Sequence, residues 1–319
     1  MNASAISSVT AGDFPASGSS REKLEFALKY AALAPTESGW QPWYFRLSDT
    51  YVELMTKNSP TQEAVDPERR EFMIGCGSAL LHLKLALKHF GCLGRLALFP
   101  DLGQPALVAR IHFGLCGGQG AQEKLLFEAM TENRANVSPL GETPISEAML
   151  EALGHAAAGE RGWLDFVQSE MSWQVIKTTL AGGRRWPDLP SRPRLQFTFT
   201  NRNVHSWDKE TEPIQRPGAS AVTLAVVKTK TDDKHGWLEA GQTMARTLLQ
   251  AQALRMSWAF FNPVRRREAR EALRIGVGHK GFAQVILQFG SRHIQMWNGA
   301  VNQFRQPAVP VVRLASHDL

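Results

Sequence analysis

The stretch Ala34-Pro35-Thr36-Glu37-Ser38-Gly39-Trp40-Gln41-Pro42-Trp43 decides how this chain is to be read. An amphipathic helix runs into Pro35, passes through a small polar loop, and meets a second proline set between two tryptophans. A plain connection needs two or three polar residues, and Trp40 and Trp43 are too large and apolar to be left in water. Two readings are open: the tryptophans anchor a core strand, or the loop is shaped to hold a flat apolar ligand.

Working outward, Ser19-Ser20-Arg21-Glu22 has the spacing of a capping box, in which Ser19 caps and Glu22 reaches back. The helix it starts carries Leu24, Ala27, Leu28 and Ala31 at helical spacing and stops at Pro35. Beyond the loop, Trp43, Phe45 and Leu47 alternate with polar residues, Ser48-Asp49-Thr50 turns, and Tyr51 to Met55 returns, which is the pattern of a hairpin. Asp66-Pro67-Glu68 then opens a helix whose stripe is Phe72, Cys76, Ala79, Leu83, Ala86 and Phe90. Ile74, Leu81, Leu85 and Leu87 make it apolar nearly all round, so it is expected at the centre of the fold. Gly75, Gly77 and Ser78 leave a flat patch where another backbone can approach, and Gly91 closes the helix. Two strand-like runs occupy Leu96 to Leu115.

A second round follows. Helices are expected over Gln122–Thr131, Ile145–Ala158, Glu239–Met256 and Arg266–Arg274, and strands over Val222–Lys228 and Phe282–Phe289. Trp173 to Gln215 has no periodicity and reads as an irregular, lid-like segment. The order of elements implies an α+β fold, helices packed on a mixed sheet, with an internal duplication. The expected division is a flexible tail over 1–20, a first half over 21–119 and a second half over 120–319.

The chain of 319 residues has 43% apolar content, nine Trp and sixteen Phe, ample for a large core. Its net charge of +6 is spread along an interleaved pattern rather than gathered in a tail, which argues against nucleic acid as a partner. Three cysteines without a C-x-x-C pair give neither a disulfide framework nor a metal knuckle. The start of the chain is rich in Ser, Ala and Gly rather than basic and then apolar, and no run reaches membrane-spanning length. A cytoplasmic location with no membrane partner is expected.

Other motifs carry less. Gly276-Val277-Gly278-His279-Lys280-Gly281 matches G-x-G-x-x-G, but a helix precedes it and a strand follows, the reverse of the dinucleotide fingerprint. It is read as a loop entering a strand. The nine histidines are unpaired at metal-ligand spacing, and His82 is expected in the core. Arg265-Arg266-Arg267 is read as a solvated helix face, with Arg267 and Glu271 at ion-pair spacing.

Taken together, Ala34–Trp43, Asp66-Pro67-Glu68-Arg69-Arg70-Glu71 and Cys76-Gly77-Ser78-Ala79-Leu80 resemble the flavin-binding nitroreductase family. More narrowly they resemble its Acg-like branch, in which one chain holds two diverged halves imitating the usual homodimer. The family loop reads A-P-S-x-x-N-x-Q-P-W; here Thr36 stands for Ser and Gly39 for Asn. Later matches are looser: Ala240-Gly241 to Leu254, Phe261-Asn262-Pro263-Val264, Gly278-His279 with Val285–Gly290, and Gln303–Pro307 with Arg305 kept. Met130–Arg134 keeps Asn133 and Arg134 of the family's basic phosphate-binding motif.

The resemblance implies a nitroreductase-like α+β fold as an internally duplicated pseudo-dimer, either a monomer mimicking a dimer or a homodimer. It implies FMN as cofactor, with NAD(P)H as electron donor and a small electron-poor molecule as acceptor. The cofactor-binding residues it points to are Pro35, Thr36, Glu37, Ser38 and Gly39 for the ring, and Asn133, Arg134 and Arg305 for the phosphate. Phe261 and Asn262 are expected near the reactive edge. The flavin carries the chemistry, so no acid or base side chain is assigned. Two alternatives accompany this reading: a protein that sequesters or stores FMN without turnover, and a flavin-free pseudoenzyme that binds another ligand.

Overall fold

The computed structural model describes residues 9–36, 41–57, 66–115, 118–131, 144–182, 222–261, 267–278, 280–291 and 312–314. The described residues form two compact units, 9–131 with 312–314 in one and 144–291 in the other.

The first unit starts with α1 (Ser20–Ala31), whose capping box forms as the sequence implies: Ser19 Oγ accepts from the Glu22 N–H, and Glu22 returns to the Ser19 N–H at 2.7 Å. The hairpin β1 (Trp43–Leu47) and β2 (Tyr51–Thr56) follows, then α2 (Arg70–His89), β3 (Leu93–Leu98), β4 (Leu107–Phe113) and α3 (Ala121–Thr131). The sheet order is β3-β4-β2-β1-β9, where β9 is Val312–Leu314. All neighbours are antiparallel except β1 and β9, so this sheet is mixed.

As its composition requires, α2 is buried almost from end to end, from Phe72 to Leu87. Asp66 caps it, its carboxylate accepting from the N–H groups of Arg70 and Glu71 at 2.9 Å each and of Phe72 at 3.4 Å. That satisfies donors which a helix start otherwise leaves open.

Two expected boundaries move. Part of the 1–20 tail is packed: Phe14 stacks on Phe90 at 4.2 Å and meets Phe26 edge-on. The division at 119/120 also shifts, because α3 packs on α2 and Phe127 joins the Tyr30, His89 and Phe90 rings. Helix α3 therefore belongs to the first unit, as does the closing strand β9.

The second unit comprises α4 (Glu147–Ala158), β5 (Trp163–Phe166), α5 (Glu170–Gly182), β6 (Val222–Thr229), α6 (Lys234–Ala253), β7 (Ser257–Phe261), α7 (Arg267–Gly276) and β8 (Phe282–Gly290). Its sheet, β5-β6-β8-β7, is antiparallel throughout. The expectation of an irregular Trp173–Gln215 is corrected over its first part, where α5 runs to Gly182; residues 183–215 lie outside the described residues. Trp173 and Ile176 are buried there with Leu273, Val226 and Ile286. A helix whose apolar side faces its own sheet-covering partner, α7, shows little periodicity beyond two or three anchors.

The two units repeat one plan. The path α1-β1-β2-α2-β3-β4 corresponds to α4-β5-β6-α6-β7-β8, and the strand order β3-β4-β2-β1 to β7-β8-β6-β5. Both first helices have 12 residues and a serine N-cap, Ser19 and Ser146. Both long helices have 20 residues and end before a left-handed residue, Gly91 at φ 67° and Arg255 at φ 55°. The step from Arg70 to Leu93 equals that from Lys234 to Ser257. The fold is thus an α+β arrangement of two diverged halves.

Candidate functional site

The halves differ in the connection between their first helix and first strand. Residues 32–42 join α1 to β1, whereas only residues 159–162 join α4 to β5. The long loop has no counterpart in the second half.

Its base is pinned at both ends. Two short turns, Leu33 N–H to Tyr30 O and Ala34 N–H to Ala31 O, end the helix and deliver Pro35. The Gln41 amide donates to Ala32 O at 3.0 Å and closes the loop across its neck. Pro42 lies on the glycine patch of α2, so close that a Cβ at Gly75 would stand 2.6 Å from its Cγ. The Lys57 N–H then bonds Pro42 O at 2.9 Å, tying the exit to the end of β2.

Trp43 is fully buried and opens the core strand, which settles its part of the opening question in favour of a structural anchor. Its Nε1 has no hydrogen-bond partner among the described residues, nor has the buried Ser78 Oγ on α2. Around the neck, Arg69 takes φ 57° and donates to Thr56 Oγ1 at 2.9 Å and Lys57 O at 3.0 Å. Burial pushes the Lys57 ammonium below its usual range.

Of the residues expected to hold the cofactor, Pro35 and Thr36 sit half-buried at the near end of this loop. Phe261 is the last residue of β7 in the second unit. Glu37, Ser38, Gly39, Asn133, Arg134, Asn262 and Arg305 lie outside the described residues, as do Arg265-Arg266.

The glycine loop 276–281 lies between a helix and a strand, the reverse of a dinucleotide turn, as the sequence implies. Gly278 and Gly281 have φ of 100° and 67°, and a Cβ on Gly281 would meet the Trp163 ring at 2.4 Å. Beneath it lies a cluster that sequence reading missed. Lys228 is fully buried, and its ammonium donates to Asp165 Oδ2 at 2.8 Å, to Val277 O at 3.0 Å and to Gly278 O. A lysine near the end of an apolar strand reads as a solvated residue, and no local signal announces a partner from β5.

His82 is a core histidine, its Nδ1 3.0 Å from Ser78 O. On α7 the close pair is Glu271 with Arg274 at 2.6 Å, within the solvated face that was expected. No group of His, Cys, Asp and Glu that could hold a metal occurs among the described residues, and no helix among them is long and apolar enough to cross a membrane.

No family model matches the chain. Over 304 residues it is 25% identical to "Putative NAD(P)H nitroreductase Rv3131" of Mycobacterium tuberculosis H37Rv, covering 84% of this chain and 85% of that protein. It is 24% identical over 148 residues to "Putative NAD(P)H nitroreductase acg" of the same organism, covering 46% and 45%. Among solved structures, a nitroreductase with bound FMN from Bacteroides fragilis overlaps 62% of this chain and 100% of its own, at 14% identity and a TM-score of 0.39. An FMN-dependent nitroreductase from Clostridium difficile gives 53% and 91%, at 12% identity and a TM-score of 0.32. The similarity to the first of these relatives extends over 84% of the chain and so runs through both halves.

Proposed function

We propose that this chain, a relative of the Acg-like nitroreductases, is an FMN-dependent oxidoreductase that passes reducing equivalents from NAD(P)H to a small electron-poor acceptor. The observation that carries the reading is the relationship to a protein named as an NAD(P)H nitroreductase across 84% of the chain.

The described residues fit a planar cofactor at the loop. A flat ring needs a wall that does not collapse when it leaves, with a few polar groups for its edge. The Gln41–Ala32 hydrogen bond and the Pro42–Gly75 contact, which pin the described ends of the loop, support that reading. Pro35 and Thr36 begin it half-buried, and Glu37, Ser38 and Gly39 are proposed to continue it with backbone N–H groups. Asn133, Arg134 and Arg305 are proposed for the phosphate, where a guanidinium fork matches two oxygens at once. Phe261 and Asn262 are proposed to border the acceptor. When bound, the flavin supplies the hydride chemistry, and the chain's own residues bind, orient and exclude water.

The visible spectrum of the purified protein tests this. A yellow protein bleached by NADPH under anaerobic conditions is the expected result. A yellow protein that stays oxidised refutes turnover and leaves FMN sequestration. A colourless protein that takes up no added FMN refutes both and leaves a flavin-free ligand-binding role.

A further inference from the structure

The proposed flavin site does not use the glycine loop between α7 and β8, although that loop forms one side of an open recess. The recess, of about 420 Å³, is bordered by Trp163, Asp165 and Phe166 of β5 and by Val277, Gly278 and Lys280 of the loop. A space of that size suits a small molecule.

The polar wall is held from behind. Lys228 is fully buried, and its ammonium donates to Asp165 Oδ2 at 2.8 Å, to Val277 O at 3.0 Å and to Gly278 O. Burying an ammonium is costly unless it is fully paired, and here all three protons are engaged. With no exposure of its own, Lys228 acts by fixing the Asp165 carboxylate against the loop. Ser172 Oγ donates to Gly276 O at 2.7 Å and pins the start of the loop.

Both positive-φ glycines shape what the recess presents. At Gly278, φ 100°, a Cβ would stand 3.2 Å from Asp165 Oδ2, so glycine leaves this side of the carboxylate uncovered. The Asp165 side chain is 29% exposed. At Gly281, φ 67°, a Cβ would run into the Trp163 ring, so the indole lies against bare backbone. The result is a fixed carboxylate, an exposed ammonium at Lys280 and aromatic surface from Trp163 and Phe166.

We propose that this recess binds a free amino acid with a large apolar side chain. Its ammonium meets Asp165, its carboxylate meets Lys280, and its side chain lies against Trp163 and Phe166. A carboxylate paired on one oxygen still accepts a charge-assisted hydrogen bond on the other. An amine without a carboxylate forgoes Lys280, and an acid without an ammonium brings like charge to Asp165. The recess therefore selects molecules carrying both groups.

Calorimetric titration of the full chain with L-phenylalanine tests the proposal, with phenethylamine and hydrocinnamate as probes that each lack one charged group. Saturable binding of L-phenylalanine is expected, with each single-charge probe about tenfold weaker. Lys280→Gln, at an exposed position, is expected to bring L-phenylalanine to the level of phenethylamine and to leave phenethylamine unchanged. Asp165→Asn, which still accepts from Lys228, is expected to weaken L-phenylalanine about tenfold and hydrocinnamate not at all. Should Asp165→Asn fail to fold, the Lys280→Gln comparison decides. No saturable binding of L-phenylalanine, equal binding of the three probes, or wild-type binding by Lys280→Gln overturns the proposal. Binding is read without turnover, so the outcome is separate from that of the flavin experiment.

Discussion

Pro42 rests directly on Gly75: any side chain at position 75 would begin 2.6 Å from the proline ring. The contact joins the exit of the candidate cofactor loop to the most buried helix of the fold, so helix composition and loop position are set together. Alanine at 75 gains roughly 0.5–1 kcal/mol of helix propensity but forces the ring away, and overpacking costs about 1–3 kcal/mol. Gly75→Ala is therefore expected to lower stability by about 1 kcal/mol and to weaken FMN binding about tenfold. Gly154→Ala on α4, where a Cβ meets nothing within 4 Å, is expected to gain about 0.5–1 kcal/mol. Urea denaturation of both variants, with flavin titration of the first, checks the pair.

How much of this was legible in the sequence depends on how local the signal is. The capping box at Ser19–Glu22, the buried character of α2 and the glycine patch under Pro42 are written in neighbouring residues, and they appear where the periodicity places them. Strand β5 and helix α5 were missed, because a four-residue edge strand and a helix anchored by Trp173 and Ile176 leave too few turns to show a period. The duplication was readable as an order of elements but not residue by residue. Arg255 adopts the same left-handed turn as Gly91 without being glycine. Most of the candidate site was named through a family resemblance, since phosphate-binding arginines far apart in the chain have no local pattern.

Asp232 links three neighbours in the second unit: Trp237 Nε1 donates to it at 2.7 Å, Arg270 Nε at 2.9 Å and Gln284 Nε2 at 3.3 Å. Burial raises its pKa, but these donors and the Arg270 charge outweigh that and hold it below the usual aspartate range. The folded-state pKa being depressed, its stabilisation is present above about pH 4, the ordinary aspartate value, and is lost as pH falls through the folded value. Asp232→Asn is expected to flatten the acid limb of a stability-versus-pH curve below about pH 4. An unchanged limb counts against the network.

Tyr30 Oη is buried without a hydrogen-bond partner among the described residues, and burial, helped by the Asp13 charge, raises its pKa to about 12. The unfolded phenol ionises near pH 10, so between there and the folded value each pH unit favours the unfolded chain. Tyr30→Phe is expected to be near neutral at pH 7 and to remove this alkaline loss. A titration at 295 nm should lack its latest phenolate step in the variant.

Asp66 accepts three backbone N–H groups at the start of α2. Asp66→Ala is expected to cost about 1–2 kcal/mol of stability, and Asp66→Ser to recover much of it, as read by the urea midpoint. A loss under about 0.5 kcal/mol means the cap is not what starts this helix.

The central claim is that one loop, present in the first half and absent from the second, builds a flavin site that turns over. An anaerobic spectroscopic titration of the flavin-free protein with FMN, finished by addition of NADPH, tests it most directly. The account predicts saturation at one FMN per chain, followed by loss of the yellow absorbance. Two FMN per chain, no binding, or a bound flavin that NADPH leaves oxidised would contradict it.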